Sequence, residues 1–130
     1  MASKEEFMQL RTLFLGLSIL LFAGCATSSY YVNYTNQRFP AKDKFYEVAV
    51  YPQSQTLSAA NPYYVIGKLA IEGFASNGVS PETLTRQAKV IARKRGADAV
   101  INASTEIFHY YGGDALLRFK AELIVYAPAK

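Results

Sequence analysis

Few residues in this 130-residue chain could do chemistry: one cysteine, Cys25, and one histidine, His109. Together they cannot furnish the three or four ligands of the usual zinc sets. The sequence contains no Gly-rich phosphate loop, paired-carboxylate motif or nucleophile elbow, so it implies no cofactor, no metal and no enzymatic activity. A lone cysteine also excludes an intrachain disulfide. Cys25 follows two small residues, Ala23 and Gly24, which suit a peptidase that must draw the backbone close to its catalytic groups. His109 stands beside Tyr110 and Tyr111 and reads as an ordinary strand-end residue, its other reading being a pH-sensitive or binding contact. The remaining grouping is cationic. Arg86, Lys89 and Arg93 fall close together at helical spacing, opposite Leu84. That ridge reads as solvated helix surface or as a contact for anionic headgroups or an acidic partner.

What precedes Cys25 gives its thiol a context. Lys4, Arg11 and the amino terminus make a weakly positive start, diluted by Glu5 and Glu6. The apolar run from Leu13 to Ala23 is about half of the ~20 residues that a membrane-spanning helix needs. A short apolar run behind a basic start reads as a signal peptide. A buried core helix is the other reading, but the run has neither helical periodicity nor a polar face.

The segment Phe22-Ala23-Gly24-Cys25 resembles the lipobox of bacterial lipoproteins. That resemblance implies that residues 1–24 are removed and that Cys25 takes a diacylglycerol as the first residue of the mature protein. Each buried methylene contributes about 0.8 kcal/mol, and a single chain holds a protein only marginally. Two or three chains make the anchor effectively permanent, and acylation removes an unpaired thiol from an exported protein. Ala26 rather than aspartate follows the cysteine. In Gram-negative bacteria the resemblance then implies the outer membrane, with the domain facing the periplasm.

The formal net charge of +4 belongs to the part after residue 24, because Lys4 and Arg11 offset Glu5 and Glu6. So mild a basic bias does not imply nucleic acid, and it is compatible with anionic lipid or cell-wall surfaces. Residues 26–44 are polar with no sustained period. With Cys25 they read as a tether (25–44) spanning on the order of 25 Å as a coil. Tyr30, Tyr31 and Tyr34 fit docking or interfacial seating better than free coil, since aromatic residues are scarce in disordered segments.

Residues 45–130 read as one small domain. Tyr46 to Tyr51 is a β-type run ended by Pro52, and Tyr63 to Ile71 is a second, with Val65, Leu69 and Ile71 on one face. A helix follows. Ser80 suits its N-cap, Pro81 its first position, and Val79 can pack on Leu84 as a hydrophobic staple. Leu84, Ala88, Ile91 and Ala92 share one face, and Gly96 ends the helix after Arg93-Lys94-Arg95. Ala99, Ile101, Ala103, Thr105 and Ile107 then alternate on one face of a strand, and Leu117, Phe119, Ala121, Leu123 and Val125 on another. Both sets are odd-numbered, so an unbulged hairpin needs an odd-numbered loop, most simply three residues around Gly112-Gly113, with Glu106 facing Lys120 or Arg118. The order is β-β-α-β-β: an α+β two-layer sandwich, one helix on a small mostly antiparallel or mixed sheet with its polar face open.

Tyr64-Val65-Ile66-Gly67-Lys68-Leu69-Ala70-Ile71, then the helix and Gly96-Ala97-Asp98-Ala99-Val100-Ile101, resemble the small domains of the YbjQ type. The stretch, roughly residues 63–126, is also similar to the domain of the Rcs envelope-stress sensor lipoproteins. The expectation is a membrane-anchored binding, scaffold or stress-sensing module with an envelope protein or anionic surface as partner. A homo-oligomer binding a small ligand or ion is the alternative, and an enzyme the third. Cys25→Ser should leave an unprocessed precursor that acquires no lipid. Metabolic labelling with a fatty acid checks this, and label on the serine variant, or none on the wild type, would contradict the lipoprotein reading.

Overall fold

A computed structural model describes residues 26–55, 57 and 61–128; Cys25 and the apolar run before it lie outside the described residues. The strands are β1 (Thr27–Asn33), β2 (Ala49–Pro52), β3 (Tyr63–Phe74), β4 (Ala99–His109) and β5 (Ala115–Tyr126). Helix α1 (Pro81–Lys94) follows β3 after a 3-10 turn over Ala75–Asn77. No described helix is long and apolar enough to cross a membrane. The sheet order is β1-β3-β5-β4-β2, antiparallel except that β2 pairs with β4 in parallel. The class is therefore α+β, one described helix on a mixed sheet.

The element order differs from the expected β-β-α-β-β, because a third strand precedes the helix. That strand, β1, comes from the stretch read as tether. Tyr30-Tyr31-Val32 is a short β-favouring run flanked by Ser, Thr and Asn, with no apolar alternation to announce it. An edge strand needs only a partner's backbone, and β3 supplies one from Thr27↔Gly73 to Asn33↔Gly67. Nor is the rest of the stretch free. Tyr34 N donates to Ile66 O at 2.9 Å, Lys42 N donates to Arg93 O at 2.8 Å, and Ala26 and Phe39 pack on the core.

The helix forms as its punctuation requires. Ser80 Oγ accepts from Thr83 N at 3.2 Å, and Pro81 opens the first turn. At the other end Ala97 N donates to Ala92 O at 2.9 Å and Gly96 N to Arg93 O at 3.1 Å, the paired bonds of a Schellman turn. Leu84, Ala88 and Ala92 are wholly buried against Leu69, Ile71, Phe119 and Leu123, and the two alanines let the helix sit low on the sheet.

Two bulges overturn part of the expected facing. In β3, Val65 pairs with Ile124 and Gly67 with Leu123, so Ile66 is extra. In β4, Ile101 pairs with Glu122 and Ser104 with Lys120, so Asn102 and Ala103 together oppose Ala121. Each bulge reverses the alternation. Val100 and Ile66 thus turn toward the helix, while Val65, Ala99 and Ile101 join Ile124 in a second cluster on the opposite face, covered by Tyr51, Leu57 and Tyr126. The face expected to be polar and open is apolar at this end. Asn102 takes the left-handed backbone at φ 54° and donates from Nδ2 to Glu122 Oε1 at 3.0 Å. Asparagine tolerates that region better than most residues.

Beyond the bulge the expected parity holds: Ile107 pairs with Leu117 and Glu106 with Arg118, and Lys120 Nζ lies 3.6 Å from Glu106. The loop is odd-numbered but holds five residues, Tyr110–Asp114, closed by Tyr110 N donating to Asp114 O at 3.0 Å. Asp114 reaches back to Ser76 Oγ at 2.8 Å, and that bond holds its carboxyl below the usual range.

Gly96 has φ 76°, and a Cβ there would press on Phe39 and the Pro40 carbonyl. Gly96→Ala should therefore cost about 1–2 kcal/mol from the backbone alone, and more from the contact. Chemical denaturation reads this directly, and an unchanged midpoint would contradict the turn described.

Candidate functional site

The Schellman turn that stops α1 aims Lys94 and Arg95 toward the end of β1. There Tyr31 lies across Gly67 of β3, where a Cβ would collide with the phenol ring. Tyr31 Oη donates to Ile66 O at a long 3.4 Å, and the Arg95 guanidinium sits 4.3 Å above the ring centroid. Burial pushes the Tyr31 phenol up, and the Arg95 charge partly offsets that rise.

The chain then leaves β1 through two local turns. Asn33 Oδ1 accepts from Thr35 N at 3.3 Å and Thr35 Oγ1 from Gln37 N at 2.7 Å, which carry Gln37, Arg38 and Phe39 across the end of the sheet. Between this crossing, β1 and the helix end lies a hollow of about 430 Å³. Tyr31, Phe39 and Ile66 form its apolar base; Arg38, Lys94 and Arg95 supply charge, and Asn33 and Gln37 add amides.

No carboxylate lines the hollow, and its three cations join no ion pair among the described residues. Lys94 and Arg95 have a structural reason to be there, because cations suit the negative end of a helix dipole. Arg38 has no such reason, since it arrives from a separate segment. Arginine presents a planar fork matched to carboxylate or phosphate oxygens, so the arrangement is one that binds an anion.

The expected cationic ridge is divided. Arg86 is exposed on the outer helix face, whereas Lys89 and Arg93 are half-buried. Lys89 leans to the flank over β2, where its Nζ lies 2.9 Å from Glu47 Oε1 and holds that carboxyl below its usual range. The segment before β2 rises around the helix and brings this partner, which the helical wheel alone does not show. His109 is exposed at the end of β4. Among the described residues no group of three or more His, Cys, Asp or Glu could hold a metal ion.

Sequence reasoning missed the hollow because Tyr31 and Arg38 stood in the supposed tether. Arg93-Lys94-Arg95 was legible, but only as a helix terminus. A usable signal was Gly67 inside β3, since a glycine within a strand marks close approach by another group without saying which.

No protein-family model matches the chain, and no curated protein matches it. The crystal structure of a Francisella virulence factor FvfA, in the orthorhombic form, is similar to it with a TM-score of 0.48 and 16% identity. The alignment covers 73% of this chain and 96% of that one. A likeness of that size carries no argument about function.

Gly67→Ala should displace Tyr31 and with it the Arg95 stack, costing about 1–3 kcal/mol as an overpacked site. In a Tyr31→Ala background the same change should cost much less, since the two residues share one contact. A double-mutant cycle by denaturation checks the coupling, and strictly additive costs would contradict the packing.

Proposed function

We propose that this chain is a lipid-anchored lipoprotein of the bacterial envelope, held by Cys25 and facing the periplasm from the outer membrane. Its domain acts as a non-catalytic binding or stress-sensing module that takes an anionic group of an envelope partner into the hollow. The observation that carries the binding role is the convergence of Arg38 with Lys94 and Arg95 around a lining without a carboxylate. Three cations with no ion pair among the described residues repel one another, and an anionic group relieves that repulsion while satisfying their N–H donors. The lipobox resemblance supports the anchor. Tyr31 and Phe39 in the base fit an anionic group carried on a larger, partly apolar body.

A second reading, a homo-oligomer that binds a small ligand or ion, is favoured by the outer edge of β1, where Tyr30 and Val32 are exposed at 58% and 57%. An unpaired strand edge is a template for a second copy. A sedimentation mass that stays monomeric at all concentrations would remove it.

Titrating the acylated protein in detergent with a poly-glutamate peptide, followed by NMR, should shift the signals of residues 31–39 and 94–95. Arg38→Glu should weaken binding at least about tenfold, since a hydrogen bond to a charged group is worth roughly 1.5–3 kcal/mol. It should leave the melting temperature in place, and the binding should weaken with salt. Shifts confined to Arg86 and the helix N-terminus, or unaltered affinity in the variant, would contradict the assignment.

A further inference from the structure

One end of the sheet carries a set of exposed aromatic and aliphatic side chains that the binding role leaves unused. The register puts Phe74 of β3, Leu116 of β5 and Phe108 of β4 in one row. The Tyr110 ring lies 5.9 Å from that of Phe74. Ile107, on the other face of β4, is 53% exposed; Tyr110 in the loop is exposed to the same extent, and Tyr111 at the hairpin tip is fully exposed. The charges nearby are largely answered: Arg118 binds Glu72 at 3.1 Å and stacks on Phe108, and Asp114 is hydrogen-bonded to Ser76.

The chain enters the fold at this same end. Thr27 pairs with Gly73, next to Phe74, and the Ala26 carbonyl lies against Gly73. Ala26 packs on the core, and the Thr27 hydroxyl donates to Gln87 Oε1 of the helix at 2.7 Å. Cys25 is bonded to Ala26 and so lies two residues before Thr27, the first paired residue of the sheet, a reach of at most about 7 Å between Cα atoms. A protein anchored there has only those two residues of chain with which to lift this end away from the surface.

We infer that the end formed by Phe74, Phe108, Ile107, Tyr110 and Tyr111 seats in the headgroup layer of the membrane that holds the Cys25 acyl chains. The inference rests on the lipid-anchor reading. Strands lie about 4.8 Å apart, so Phe108, three strands from β1, is about 15 Å from the anchor across the sheet end, and both can meet one plane. Tyrosine pairs an apolar body with a polar tip and is enriched at membrane–water interfaces. Asn33 is six residues from Thr27 along β1, so the cationic hollow is held about 20 Å farther from the membrane and open to the periplasm. The seat is apolar and takes a zwitterionic surface.

The chain has no tryptophan, so a single introduced one reports its own surroundings. Tyr111→Trp places the reporter at the seat. Tyr64→Trp, ten residues from Phe74 along β3 and about 30 Å away, places it at the far end. Each full chain, processed in a bacterium and shown by mass spectrometry to carry fatty acid on Cys25, is reconstituted into phosphatidylcholine vesicles with or without brominated acyl chains. Emission from Tyr111→Trp should blue-shift and be quenched by the brominated lipid, while Tyr64→Trp shows neither. With Cys25 acylated, unshifted emission from Tyr111→Trp overturns the seating and leaves the anchor standing. A blue shift without quenching means that a second copy covers the patch, and equal quenching at both sites means that the domain lies on its side; either overturns it. Absence of fatty acid on Cys25 overturns both readings.

Discussion

The last strand of the chain is the middle of the sheet. β5 supplies backbone partners to β3 on one side and β4 on the other, so neither neighbour is complete until it inserts. Its inner face, Leu117, Phe119, Ala121 and Leu123, is the floor on which Leu84, Ala88 and Ala92 rest. Helix, core and register all depend on this one insertion. It also makes the contacts long-range in sequence, which slows folding relative to a fold of local pairings. Both bulges lie opposite the same stretch of β5, that of β4 between Lys120 and Glu122 and that of β3 between Leu123 and Ile124. The flanking strands therefore switch faces within a few residues of each other, and the second apolar cluster forms around Ile124 beyond both switches.

From that arrangement follows a molecule with two unlike ends. The Schellman turn at Gly96 and the crossing of residues 34–40 bring cations from two segments to one end, over a base of Tyr31, Phe39 and Ile66. The five-residue loop between β4 and β5 and the close of β3 bring aromatic rings to the other. β1 links the two, since it starts beside the aromatic row and finishes at the hollow. The strand that joins any anchor to the domain is thus also a wall of the binding site. In the proposed reading, attachment and presentation are performed by the same seven residues.

The helix was legible in full, from Ser80 and Pro81 to the glycine stop, because caps and 3.6-residue periodicity are local properties. The late strands were legible in type and in the odd parity of their hairpin, because alternation is local too. The bulges at Ile66 and Asn102–Ala103 were not, and they reassign Val65, Val100, Ala99 and Ile101. A bulge is a relation between two strands, and for that in β4 the local hint is an asparagine, a residue that tolerates the left-handed backbone Asn102 adopts. The ridge of Arg86, Lys89 and Arg93 was placed by helical geometry, yet Glu47, forty-two residues before Lys89, takes one of its charges.

By itself the sequence determined the α+β class, the helix with both caps and most of the apolar faces that build the core. Each of these is written in neighbouring residues. Only the tertiary structure decided that Thr27–Asn33 is a strand, that Arg38 meets Lys94 and Arg95, and that the aromatic residues near the hairpin share an end with Ala26. Those are meetings between segments tens of residues apart. An edge strand or a hollow needs no periodicity of its own, only a partner's backbone or side chains in reach, and what comes within reach is set by how β5 closes the sheet.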